Sequence, residues 1–146
     1  LAALEKQGWH IKDGGKYDEE SLIYACDTVD AVFENEEGAV LKAVFYNSTN
    51  SSVKMKKCNI VKLRIDNNFY QNTEKYNEFS VNGVNNKMAI TDIIDTLGTP
   101  SHFYGLAENN YYLDYFISKD DRRNGITVYI DPTNDSVTAI EFSYYK

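Results

Sequence analysis

The chain has little cysteine, little proline and no long apolar run, and each shortage excludes a class of protein. Its 146 residues include two cysteines, two prolines and one tryptophan. Two cysteines without a C-x-x-C spacing exclude a disulfide-rich scaffold and disfavour a zinc site or a thioredoxin-like centre. The longest apolar stretch is broken by Lys42, so no segment reaches the ~20 residues of a membrane-spanning helix. The sequence predicts one soluble globular domain without a transmembrane segment.

Positive charge is also scarce. The 15 basic residues stand against 22 acidic ones, which gives a net charge of −7. Binding to nucleic acid or to anionic lipid depends on Lys and Arg, so neither is expected as a partner. Tyrosine, with 12 copies, and asparagine are abundant. An acidic chain rich in Tyr and Asn is typical of an exposed bacterial surface protein.

The two cysteines leave two interpretations open. In an oxidising compartment, Cys26 and Cys58 could form a disulfide that constrains the unfolded chain by about 3–4 kcal/mol. Otherwise both are buried thiols that pack as small apolar side chains.

The first part of the chain predicts a short helix and several strands. Leu1–Gln7 is rich in helix-forming residues, and Gly8 follows where a helix would end. Alternating apolar and polar residues predict strands over 29–34, 39–47 and 57–66. The first two of these flank a four-residue turn ending in Gly38, as in a β-hairpin.

The last part of the chain predicts a second helix and a meander. Four apolar residues follow the spacing of an amphipathic helix, namely Ile90, Ile93, Ile94 and Leu97. Gly98 and Pro100 end this helix. Three strands follow, over 110–118, 125–130 and 136–145. We expect the apolar helix face to pack on alternate strand residues, with Ile93, Ile94 and Leu97 against Leu113, Val128 and Ile140.

The two parts resemble each other, since each has a short helix closed by glycine and ends in an alternating strand. This similarity predicts an α+β fold of two tandem units, each a short helix plus an antiparallel meander sheet. The first unit spans 1–66, a connector spans 67–86 and the second unit spans 87–146, together in one compact domain.

The segment Ile93-Ile94-Asp95-Thr96-Leu97-Gly98-Thr99-Pro100-Ser101, with aromatic-rich strands behind it, resembles the small lipoprotein module of the SmpA/OmlA type. It also resembles the β-lactamase inhibitor protein, which is built from two such repeats, and the likeness covers 87–146. Residues 4–9 and 58–61 look like surface lipoproteins of Gram-positive bacteria. The resemblance implies export, a possible lipid anchor upstream of Leu1, and a binding rather than a catalytic role.

No catalytic or cofactor motif accompanies these elements. His10 and His102 each follow a helix-ending glycine, but neither belongs to a metal-ligand spacing. Neither cysteine has a recognisable base beside it in the sequence. We therefore expect no enzyme activity, no cofactor and no metal site.

Strand alternation in the last part predicts a candidate binding face. Its members point away from the predicted core and are Tyr112, Asp114, Phe116, Tyr129, Glu141 and Tyr145. Aromatic residues mixed with acids suit a contact surface, because Tyr offers a large rigid area and a hydroxyl group. Cross-strand pairing explains aromatics on a sheet face equally well.

These observations predict an exported, non-catalytic binding module at the bacterial cell surface, either lipid-anchored or secreted. Its partner would be another protein or a cell-wall glycan. The alternative is an extracellular carbohydrate-binding module that uses Tyr112, Tyr129 and Tyr145 as stacking platforms.

Overall fold

The chain folds mainly into β-strands, in which buried and exposed side chains alternate. The computed structural model describes residues 1–12, 14–36, 38–66, 80–81, 83–106 and 110–145. It divides into two units, Leu1–Leu63 and Arg64–Lys146. The boundary lies inside a strand, three residues before the predicted end of the first unit at residue 66. Most of the predicted connector, 67–79 together with residue 82, lies outside the described residues.

The first unit contains short strands and one small helix. Helix α1 spans Ala2–Glu5, and the strands are β1 (Trp9–Ile11), β2 (Leu22–Ile23), β3 (Thr28–Asn35), β4 (Val40–Tyr46), β5 (Val53–Lys54) and β6 (Asn59–Asp66). A 3-10 turn, Met55–Lys57, precedes β6. Strands β1, β3, β4 and β6 are neighbours in that order, and β2 pairs separately with β5. Strand β6 continues into the second unit.

The β3–β4 hairpin forms the core of the first unit. The two strands are antiparallel, and alternate residues from both are buried. Phe33 and Phe45 are fully buried, with ring centroids 6.0 Å apart. Gly38 supplies the positive φ of +80° that the turn requires. The hairpin predicted from the sequence is confirmed.

A buried asparagine anchors the loop after β4. The Asn47 side chain donates hydrogen bonds to the carbonyl oxygens of Ile23, Tyr24 and Ser51, at 3.0, 2.9 and 2.7 Å. Its own oxygen accepts from the backbone N–H and the hydroxyl of Thr49, at 3.0 and 2.7 Å. One side chain thus connects β2 with the loop at residues 47–51.

A charged cluster fixes the segment before β2. The Glu20 carboxylate pairs with the ammonium groups of Lys54 and Lys56. Hydrogen bonds lower the pKa of Glu20 from an ordinary value of 4.5 to about 2, with the larger effect from Lys54 and the next from Lys56.

The Glu20 cluster predicts a pH dependence for the first unit. Because the pKa of Glu20 is lower in the folded state, its contribution to stability is present above about pH 4.5. That contribution is lost as the pH falls towards 2. We expect Glu20→Gln to remove this part of the acid sensitivity in urea denaturation at several pH values. Glu36→Gln, in the exposed hairpin turn, is the control. Equal acid profiles for wild type and Glu20→Gln would contradict the cluster's role.

The second unit combines one helix with a long antiparallel meander. Helix α2 spans Ile90–Leu97, and the strands after the end of β6 are β7 (Ser80–Val81), β8 (Val84–Asn85), β9 (His102–Leu106), β10 (Asn110–Ser118), β11 (Asp121–Asp131) and β12 (Ser136–Ser143). The order across its sheet is the end of β6, then β12, β11, β10 and β9. Strands β9 to β12 are antiparallel, and β7 pairs with β8.

Helix α2 packs on the sheet of the second unit as predicted. The core consists of seven buried apolar residues: Val84, Ile93, Leu113, Val128, Ile130, Val137 and Ile140. Ile94 and Leu97 are partly buried against this core rather than within it. The Asp92 carboxylate accepts a hydrogen bond from the Ala89 N–H at 3.1 Å, which satisfies one free donor at the helix start. The helix ends at Gly98, where φ is +85°.

The predicted α+β fold of two tandem helix-plus-meander units, similar to the β-lactamase inhibitor protein, is wrong. Strands make up 52% and helices 12% of the described structure, which is a mainly antiparallel β fold. Helix α1 has four residues and buries none of them, so it cannot cover a sheet as α2 does. Glycine after a short helical pattern was therefore a misleading sign of a repeat.

The strands of the second unit also differ from the prediction. The meander has four strands instead of three, because β9 was not predicted. The predicted inward residues Leu113, Val128 and Ile140 are buried. Alternation along β10 would also turn Ile117 inward, but it is 71% exposed and lies where the pairing with β11 is irregular, between Phe116 and Ser118. The two described α-helices have four and eight residues, and neither is long and apolar enough to cross a membrane.

Burial of Ile93 predicts a large loss of stability on truncation. Ile93 has no exposed surface, so Ile93→Ala should lower the free energy of unfolding by about 2–5 kcal/mol. Ile117→Ala makes the same change at an exposed position and should cost less than about 0.5 kcal/mol. Urea denaturation of both variants measures the difference. Similar losses for the two variants would contradict the packing of α2.

Candidate binding face of the second unit

Three tyrosines from neighbouring strands form a line across the sheet of the second unit. The register places Tyr104 of β9 opposite Tyr112 of β10, and Tyr112 opposite Tyr129 of β11. The rings of Tyr104 and Tyr112 are stacked, with centroids 4.8 Å apart and planes 24° apart. Tyr112 and Tyr129 are 6.1 Å apart and tilted. We call these three tyrosines, with Arg64, the aromatic row.

Arg64 closes the row at the side of β6. Its guanidinium carbon lies 4.4 Å from the centre of the Tyr129 ring, a cation–π contact. The same guanidinium donates two hydrogen bonds to one carboxylate oxygen of Asp66, at 2.9 and 3.2 Å. Asp66 is buried, so these hydrogen bonds fix the guanidinium while it covers the tyrosine.

A second, polar line runs beside the aromatic row. His102, Asp114, Thr127 and Glu141 are consecutive cross-strand partners on β9, β10, β11 and β12. Asp114 is only 8% exposed and accepts a hydrogen bond from the Thr127 hydroxyl at 2.6 Å. The His102 ring lies 5.6 Å from Tyr104 and 5.4 Å from Phe116, centroid to centroid. His102 is therefore a member of the polar line whose ring also packs near two aromatic side chains.

The electrostatics of this face act on Tyr112. Burial raises the pKa of the Tyr112 hydroxyl, and the nearby Asp114 carboxylate and Tyr104 raise it further. The phenol thus stays protonated above its ordinary range and remains a hydrogen-bond donor at the surface of the sheet.

The structure brings five of the six predicted face residues onto neighbouring positions of one sheet face: Tyr112, Asp114, Phe116, Tyr129 and Glu141. They are less exposed than expected, because four are partly buried and Asp114 is buried. Tyr145 lies two residues beyond the end of β12, where its backbone exchanges hydrogen bonds with the Asn124 side chain.

Sequence reasoning missed three members of the site. Tyr104 and His102 lie on β9, a short strand that contains Gly105 and did not stand out from its surroundings. The alternation His-Phe-Tyr-Gly-Leu was the available signal. Arg64 lies in the predicted strand over 57–66 but was not assigned to the binding face, whereas its guanidinium covers Tyr129 and belongs to the aromatic row.

Other predicted site residues do not assemble into a reactive centre. Cys26 is an exposed free thiol near the Thr49 carbonyl, and Cys58 is a buried free thiol near the Lys54 carbonyl. The structure therefore does not contain the disulfide that the sequence left open, and the alternative of two buried thiols is correct for Cys58 and wrong for Cys26. Burial raises the pKa of Cys58. Within the described ranges, no three His, Cys, Asp or Glu residues are grouped as metal ligands.

Comparison with family models, curated proteins and solved structures finds no match to this chain in any of the three. The resemblance to the SmpA/OmlA lipoproteins thus stays a prediction, and the site is interpreted from its own geometry.

The effect of the Asp114 charge on Tyr112 predicts a pKa shift that titration can measure. Asp114→Asn removes the negative charge but not the burial, so the pKa of Tyr112 should fall and remain above its ordinary value. Glu141→Gln removes a carboxylate two strands away and is the control. Titration of ring-labelled tyrosine by NMR follows each hydroxyl. An unchanged pKa in Asp114→Asn would show that the carboxylate does not act on Tyr112.

Proposed function

We propose that the aromatic row and the polar line beside it bind another protein, and that the chain is a non-catalytic binding module. The observation that carries the proposal is the continuous arrangement of Tyr104, Tyr112, Tyr129 and Arg64 across the sheet. Tyr and Arg, together with Trp, are enriched among the residues that carry most of the binding energy at protein interfaces.

The row is held in place before any partner arrives. Each tyrosine is packed against a neighbouring ring, and Arg64 is fixed by Asp66. Ordering flexible side chains costs about 0.5–1.5 kcal/mol each on binding, and a row that is already ordered avoids much of this cost. The arrangement favours a binding role over a purely structural one, because a row serving only strand pairing would not require the arginine at its end.

The same geometry favours a protein over a glycan. A sugar stacks on the open flat face of an aromatic ring, so a stacking platform needs faces turned to solvent. Here Tyr112 has Tyr104 against one face, and the Tyr129 ring is covered by the Arg64 guanidinium. At Tyr112 and Tyr129 the row therefore offers mainly ring edges and hydroxyl groups, which suit the mixed apolar and polar surface of a protein partner.

We place this activity at the surface of a Gram-positive bacterium. Support comes from the acidic composition, rich in Tyr and Asn, and from the resemblance of the N-terminal segment to surface lipoproteins. Both the secreted and the lipid-anchored form would present the face to proteins outside the cell.

Removal of two ring side chains tests the proposal. Immobilised protein captures its partner from a cell-surface extract, mass spectrometry identifies the captured protein, and calorimetry measures its affinity after purification. Tyr112→Ala with Tyr129→Ala should weaken that affinity by about 30-fold or more, which corresponds to the loss of one strong interface contact. Thermal unfolding verifies that the variant is folded.

The matched control changes two tyrosines away from the row. Tyr24 and Tyr144 are 73% and 52% exposed, and their joint replacement by Ala should leave the affinity unchanged. Equal loss in both double variants would contradict the proposed face. Unfolding of the Tyr112/Tyr129 variant would show that these rings are structural. Binding to soluble cell-wall glycans that depends on Tyr112 and Tyr129 would favour the carbohydrate-binding alternative.

A further inference from the structure

Strand β9 is the last strand of the sheet in the second unit. Its single hydrogen-bonded neighbour among the described strands is β10, so within the part of the chain that the structure describes no strand covers the backbone N–H and C=O groups of its other edge. Such an edge can template pairing with another chain, and proteins usually protect it with lysine, proline, a bulge or a short length.

Strand β1 shows what a protected edge looks like in this chain. It is a terminal strand of the first unit with only three residues. His10, on this strand, and Lys12, just after it, both pair with the Glu34 carboxylate, at 3.6 and 3.3 Å. Short length and the charged pair of Lys12 with Glu34 both discourage a further strand from pairing there.

Strand β9 lacks these protections. Its five residues, His-Phe-Tyr-Gly-Leu, include no lysine, no proline and no acidic residue. Phe103 and Tyr104 are 55% and 39% exposed and belong to opposite faces of the strand. The Tyr111 ring lies over Gly105, where an added Cβ would be 2.7 Å from a ring carbon. Strand β9 thus pairs with β10 without a bulge and carries two exposed aromatic side chains.

We propose that the open edge of β9 pairs with an extended basic segment of the partner protein, which places an arginine against Tyr104. This inference rests on the proposed function and specifies the kind of partner. The added strand would continue the sheet, and its side chain beside Tyr104 would continue the aromatic row by one position. One face of the Tyr104 ring lies against Tyr112, and the opposite face lies on the side of the open edge.

Charge favours a basic segment. Residues 64–146 contain seven basic and twelve acidic side chains, a net charge of −5. A cationic segment is attracted by this field, whereas an acidic one is repelled. The other end of the row already shows the contact, since Arg64 covers Tyr129 at 4.4 Å. An arginine on Tyr104 would complete the row with the same chemistry at both ends.

A short peptide with blocked ends, in which arginine alternates with threonine, is the probe. We expect it to bind the full chain and to slow amide hydrogen exchange within residues 102–106, because backbone pairing protects N–H groups on β9. Two control peptides test separately the positive charge of the peptide and its backbone hydrogen bonds. Glutamate in place of arginine should abolish binding, and methylation of alternate backbone nitrogens should do the same.

Protein variants locate the contact. Tyr104→Ala should weaken binding of the arginine peptide by about tenfold, whereas Tyr104→Phe keeps the ring and should bind as well as the wild type. Tyr24→Ala, at an exposed tyrosine of the first unit, is the matched control and should have no effect. Where the alanine variant fails to fold, Tyr104→Leu keeps an apolar side chain without a ring face, and we expect the same loss of binding from it.

Several outcomes would overturn the inference. They are binding without protection of residues 102–106, equal binding of the acidic peptide, protection of β9 without any peptide, and a dimer of the free chain whose formation depends on Tyr104. Loss of partner binding in the Tyr112/Tyr129 variant, together with an inert β9 edge, would preserve the proposed function and reject this inference. Peptide pairing at β9, together with unchanged partner affinity in the Tyr112/Tyr129 variant, would support the pairing at β9 and reject the proposed function.

Discussion

The register between β10 and β11 is the constraint on which both the core and the candidate face depend. It places Leu113 opposite Val128 and Tyr112 opposite Tyr129. Because side chains alternate along a strand, a slip by one residue would turn the aromatic row towards α2 and the core towards solvent. The apolar contacts of α2 and the stacking of the row therefore stabilise the same register from opposite sides of the sheet.

Local backbone features hold this register in place. Gly125 lies opposite Phe116, and a Cβ at this position would be 2.2 Å from the Tyr115 carbonyl oxygen. A residue with a side chain cannot occupy it without moving the strand. A further irregularity between Tyr129 and Ile130 shifts the pairing with β12, so that Val137 and Ile140 are both buried in the core. A bulge of this kind lets two residues of β12 an odd number of positions apart, Val137 and Ile140, both face the core.

Sequence patterns predicted the elements that carry strong periodicity. Helix α2, the β3–β4 hairpin and the strands β10 to β12 all repeat apolar residues at the spacing of their structure. Strand β9 was missed because five residues with a glycine give too short an alternation. The tandem repeat was wrong because the four residues of α1 lie on the surface. Arg64 could not be assigned to Tyr129, since nothing local in the sequence reports a contact between distant strands.

The buried side chain of Asn47 has a consequence for production of the protein in other hosts. Asn47-Ser48-Thr49 and Asn50-Ser51-Ser52 both match the acceptor sequence for N-linked glycans. Asn50 is exposed, whereas the amide nitrogen of Asn47 is turned inward to three carbonyl oxygens. A sugar attached to that nitrogen during secretion would occupy the space of these carbonyl groups and break the hydrogen bonds between β2 and the loop at residues 47–51. A eukaryotic secretory host can therefore decorate Asn50 on the folded chain, but modification of Asn47 is incompatible with the first unit as it folds here.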